Sequence, residues 1–177
     1  MAHTMKTTTT ILLAIVVAAL TGCTSFKVKN TEGLRLAYED IEQASSKGVE
    51  LKSMKYINDR QRQEAADLYR DAKAALNSYL QQAITDASSY TVDKPAETYA
   101  ACGADKKVAL FRAKVNDLRG RTPAAAAVWI PIAVEVITEI KKLHDQEQKA
   151  AYERFEQTVK KYMMKDFDEL PAGSPEK

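Results

Sequence analysis

The chain has 177 residues, with 26 Lys plus Arg against 24 Asp plus Glu and a formal net charge of +2. That balance offers no general electrostatic reason to expect nucleic acid as a partner. Ala, Glu, Lys, Gln and Leu, all strong helix formers, are abundant, and no β-branched alternation is sustained.

The first element is the greasy run "ILLAIVVAALTGCTS", residues 11–25. Its uncharged part, Ile11 to Leu20, has ten residues, and a helix needs about 20 to cross the hydrocarbon of a bilayer. Lys6 and the polar patch Thr7 to Thr10 precede it, and small residues end it. A basic start, a short apolar stretch and a small-residue end describe a secretory signal peptide. Leu20-Thr21-Gly22-Cys23 resembles the lipobox of bacterial lipoproteins, a family defined by its export signal and not by a fold. The resemblance covers the first 23 residues. It implies a diacylglycerol thioether on the Cys23 sulfur, cleavage just before that residue, and acylation of the new amino group. Each buried methylene contributes about 0.8 kcal/mol, and two or more chains make a stable anchor where one does not. Thr24 stands where an Asp typically retains enterobacterial lipoproteins in the inner membrane, so the resemblance implies the outer-membrane class. Met5-Lys6 would begin a normal signal, which leaves Met1 or Met5 as the start.

Removing residues 1–22 leaves about 155, enough for one domain with a sizeable core. Residues 23–30 read as a lipidated tether, 31–168 as a helical domain and 169–177, polar with two prolines, as a frayed tail. Asn30 or Thr31 caps a first helix carrying Leu34, Ala37, Tyr38, Ile41 and Ala44 at helical spacing. "SSKG" stops it, with Gly48 suited to a left-handed cap. Residues 49–57 fit either a loop or an extra helical turn. Asn58 or Asp59 opens a second helix of about 30 residues, whose stripe runs from Ala65 through Leu68, Tyr69, Ala72, Leu76 and Leu80 to Ile84.

Pro95 opens a short helical piece and Gly103 closes it. Asp105 caps a third helix with Val108, Phe111, Val115 and Leu118 on one side, ended by Gly120. Thr122-Pro123 starts a fourth, very long helix whose face runs from Trp129 through Ile132, Val136, Ile140, Leu143, Ala151, Phe155 and Val159 to Tyr162. Pro131 should kink it near Ala127, and "HDQEQK", residues 144–149, interrupts its stripe. The expected fold class is all-α, an antiparallel bundle of about four helices, two long and two short. The ends of the two long helices are expected to pair as an exposed arm or to pack on another molecule.

Enzymatic machinery is nearly absent. His144 with Glu147 supplies two ligands, too few for zinc, and Asp166, Asp168 and Glu169 lack the spacing of a calcium loop. No Gly-x-Ser-x-Gly, His-Glu-x-x-His or phosphate-binding loop is present. No catalytic residue, cofactor or metal is therefore assigned. With Cys23 acylated, Cys102 is the remaining thiol, and a small buried residue is the preferred reading over pairing between chains. In the third helix Lys107, Lys114 and Arg121 line one edge of the apolar stripe, and Arg112 and Arg119 the other. Such residues hold interfacial helices on anionic surfaces, and they also snorkel from ordinary buried stripes, the reading preferred here. The uncharged run 124–134 with Trp129 is taken as core, with a partner-binding patch as its alternative.

These features point to a non-enzymatic, outer-membrane-anchored periplasmic lipoprotein. It would act as a helical adaptor for an envelope protein partner, or through self-association, by helix-in-groove or coiled-coil contacts. The alternative is a bundle that opens to carry a lipid or other apolar ligand.

Overall fold

The computed structural model describes residues 26–28, 31–89, 91–92, 96–120 and 132–172, and every structural statement below concerns these. The chain is mostly helical, as its composition requires. The elements are β1 (Lys27–Val28), α1 (Glu32–Ser53), α2 (Asp59–Ala87), β2 (Thr91–Val92), α3 (Ala96–Cys102), α4 (Ala104–Arg119), α5 (Ile132–Lys141), a 3-10 turn (Lys142–Asp145) and α6 (Gln148–Lys161). β1 and β2 form a two-residue parallel ladder with Lys27 opposite Thr91 and Val28 opposite Val92, a minor addition to the all-α expectation.

The stripe of α1 is buried as its spacing predicts, at Leu34, Ala37, Tyr38, Ile41 and Ala44. The expected stop at "SSKG" is not there. The helix runs on through Gly48 to Ser53 and buries Val49 and Leu51. Gly48 serves close packing and not a turn. A Cβ there would lie 2.4 Å from Leu170 Cδ1 and 3.1 Å from Tyr69 Cε2. A glycine inside a helix costs about 1 kcal/mol against alanine, and here it lets two other segments approach the helix backbone. Residues 54–57 form the loop, with Met54 and Ile57 buried.

The start of α2 is fixed by a complete capping box. Asn58 Oδ1 accepts from Gln61 N at 2.9 Å, and Gln61 Oε1 accepts from Asn58 N at 3.2 Å. Asn58→Ala is expected to lower stability by about 1 kcal/mol, read as a shift of the urea midpoint with an unchanged slope. Arg62 in the first turn of α2 closes the end of α1, donating to the carbonyls of Leu51 at 2.8 Å and Met54 at 2.6 Å. These are among the carbonyls that a helix leaves without partners at its end.

Gly103 separates α3 from α4 in a left-handed conformation, φ 67°. It also occupies the capping position of α4, so Asp105 lies in the first turn and is not the cap. Gly120 ends α4 as expected.

The long fourth helix is broken. "HDQEQK" brings no apolar side chain to continue the stripe. The backbone tightens into the 3-10 turn, extends at Gln146 (ψ 158°) and restarts from Glu147. Residues 121–131, with Pro123, Trp129 and Pro131, lie outside the described residues. After the break α6 packs onto the body, and among the described residues no exposed arm forms. Ala151, Phe155 and Val159 are fully buried, Tyr38 OH donates to Val159 O at 3.1 Å, and Tyr162 OH bonds Glu135 of α5. The lengths are correspondingly 22, 29 and 16 residues for α1, α2 and α4, with 10 and 14 for the divided α5 and α6.

The chain after α6 is irregular yet packed. Met164, Phe167 and Leu170 are buried, which moves the start of the expected tail beyond residue 169. Helix α2 supplies the partners that irregular backbone needs. Asn77 donates to Met164 O at 3.1 Å and accepts from Met164 N at 3.0 Å, and Tyr69 OH donates to Lys165 O at 3.0 Å. Lys52 of α1 donates to the carbonyls of Asp168 at 2.8 Å and Leu170 at 2.5 Å. Burial pushes the Tyr69 phenol up to about 12, which keeps it a donor at any ordinary pH.

Candidate functional site

The N-terminal junction is the first place where function and fold meet. Residues 26–28, inside the stretch expected to be a tether, contribute Phe26 and Val28 to the core. Phe26 is 1% exposed and Val28 is buried, while Lys27 between them is exposed. Alternation of this kind is what a strand requires. The Phe26 ring lies 5.7 Å from that of Phe155 in α6, tilted by 50°, and the ladder with Thr91–Val92 holds the backbone. Cys23 and Thr24 lie outside the described residues. Three peptide steps separate Cys23 from a side chain in the core.

The basic residues of α4 do not act together. Lys107 is exposed. Lys114 instead pairs with Glu64 of α2 at 2.8 Å, and this lysine, with Arg60 beside it, holds the Glu64 carboxyl below its ordinary range. Arg119 lies 3.5 Å from Glu50 of α1, a buried carboxylate that Lys47 also meets at 2.7 Å. Lys114 and Arg119 thus tie α4 to its neighbours, as snorkelling stems at the border of a buried stripe do. Arg121 and Trp129 lie outside the described residues.

The third cluster was not legible in the sequence. Tyr99 OH donates to the Asp40 carboxylate, the Tyr99 ring stands edge-on to Tyr79 at 5.0 Å, and Cys102 Sγ donates to Tyr99 O at 2.9 Å. Burial raises the Asp40 carboxyl above its ordinary value, against the opposing hydrogen bond from Tyr99. Burial likewise raises the Tyr99 phenol and the Cys102 thiol. A raised thiol is a poor nucleophile, so the cluster packs and orients α3 and supplies no activated group.

This cluster makes a signed pH prediction. Asp40 binds its proton more tightly in the folded state than in the unfolded chain, so its charge destabilises the fold above the raised value. Asp40→Asn, which keeps an acceptor for Tyr99, should therefore be more stable than the parent at neutral pH. That advantage should shrink as pH falls through the raised value toward the ordinary aspartate range. Urea midpoints of both proteins across that interval check the sign. A gap that widens on acidification contradicts it.

His144 and Glu147 are both exposed, on the 3-10 turn and at the cap of α6. Among the described residues no three His, Cys, Asp or Glu side chains gather as they would around a metal ion. Among the same residues no helix is long and apolar enough to cross a membrane. The residues that sequence reasoning missed are Phe26, Val28, Asp40 and Tyr99. The alternation Phe-Lys-Val was the available signal for the first two, though at three residues it is too short to separate from a tether. Nothing in the local sequence relates Asp40 to Tyr99, which lie 59 residues apart. No family model, curated protein or solved structure matches the chain.

Proposed function

We propose that the protein is a non-enzymatic, lipid-anchored adaptor of the bacterial cell envelope, held through Cys23 at the periplasmic face of the outer membrane. Its body is an antiparallel helical bundle. The single observation that carries the reading is the placement of Leu20-Thr21-Gly22-Cys23 three residues ahead of Phe26, a core residue. A signal removed before Cys23 leaves a chain whose folded part begins almost at once. Directions inferred from side-chain pairs support the bundle. Arg62 at the start of α2 bonds the carbonyls at the end of α1. Tyr79, further along α2, meets the Tyr99 that bonds Asp40, earlier in α1. An adaptor role fits a body whose α4 is tied to α2 and α1 by Lys114–Glu64 and Arg119–Glu50 and whose half-buried Cys102 thiol is raised by burial. Its partner is an envelope protein or a second copy of the chain.

Cys23→Ser tests the anchor. Incorporation of labelled palmitate and partitioning into the detergent phase should both be lost, because the acyl chains supply the membrane affinity. Unchanged labelling and partitioning in the variant would remove the basis of the reading. Crosslinking in intact envelopes then identifies the protein held next to the parent chain.

A further inference from the structure

We infer that the body stands directly on the membrane, with the Phe26 end against the phospholipid headgroups and the loop at residues 54–58 pointing away; this rests on acylation of Cys23. The reason is the length of chain between anchor and core. Three residues span at most about 11 Å when fully extended. The headgroup layer on each side of a bilayer is itself roughly 5–8 Å thick. An acylated Cys23 sits at the inner border of that layer, so Phe26 can stand no more than a few ångströms beyond it. Phe26 cannot be paid out to lengthen the connection, because it is 1% exposed and packed on Phe155, and the following two residues are paired with β2. A free tether over residues 24–30 would have reached about 25 Å and left the body free to turn. Lys27 is an exposed side chain at this end, beside exposed Glu32, Ser88 and Ser89, and its ammonium suits lipid phosphates.

The opposite end follows from α1. The helix begins a few residues after Phe26, and its 22 residues carry the chain about 33 Å to the loop at 54–58. Tyr56 in that loop is 80% exposed. Leu170 packs toward the same end, where it meets Gly48 and its carbonyl accepts from Lys52.

The test places a photo-crosslinking amino acid at Lys27 or at Tyr56, both exposed. The full lipoprotein is then reconstituted in vesicles of labelled phosphatidylethanolamine and phosphatidylglycerol. The Lys27 position should capture lipid severalfold more than the Tyr56 position. Insertion of a ten-residue Gly-Ser spacer between Ser25 and Phe26 should abolish that preference. Equal capture at both positions, or no capture at Lys27 in protein that carries palmitate, overturns the orientation and leaves the anchor standing. Absence of palmitate on the parent chain overturns the anchor and the orientation together.

Discussion

A chain ended after Met163 should unfold at least about 10 °C below the full-length protein, or lose its cooperative transition. The cut removes Met164, Phe167 and Leu170, three side chains buried in the core. At about 1.5–3 kcal/mol each, their burial contributes roughly 5–9 kcal/mol, against a total stability of about 5–15 kcal/mol for an ordinary domain. A domain of this size changes its melting temperature by about 2–4 °C per kcal/mol. The cut also exposes the ring of Tyr69, which stands edge-on to Phe167 at 5.5 Å. It leaves the ammonium of Lys52 and the amide of Asn77 without their backbone partners. Circular dichroism melts of the two chains measure the difference. A truncated protein that melts with the parent would mean that residues 164–170 do not hold the fold. Leu170→Ala, expected to cost about 2–5 kcal/mol, separates the side chain from the rest of the segment.

Phe155→Ala should cost about 3–5 kcal/mol, the range for a fully buried phenylalanine that leaves a cavity. The effect should be felt beyond α6. Phe155 is the aromatic contact of Phe26, so its loss loosens the strand that begins the domain. Limited proteolysis should then cut near residues 26–28 in the variant and not in the parent. A double-mutant cycle with Phe26→Ala should give a coupling of about 0.5–1.5 kcal/mol for the ring pair. Zero coupling would show that the two rings are stabilised separately, and the short connection to residue 23 would lose its rigid end.

The helices were legible where local chemistry decides them. The start of α2, expected at Asn58 or Asp59, and its apolar stripe are written in the local sequence, and the structure puts the cap at Asn58. The left-handed glycine at 103 closes α3 for the same local reason. Gly48 shows the limit. Its neighbours Ser45, Ser46 and Lys47 look like a helix end, and the residues that make it a packing site, Tyr69 and Leu170, are far along the chain. The break between α5 and α6 was visible as a polar interruption, but its consequence, the return of α6 onto Tyr38 and Phe26, was not.

By itself the sequence determined the helical composition, the starts of α1 and α2 and their apolar faces, because propensity and capping act over a few residues. Only the tertiary structure decided that Phe26 belongs to the core and not to a tether, that residues 164–170 are packed, and that Lys114 and Arg119 face carboxylates on other helices. Those outcomes depend on which surfaces meet across 50 to more than 100 residues, and burial against a distant partner leaves no mark in the local pattern.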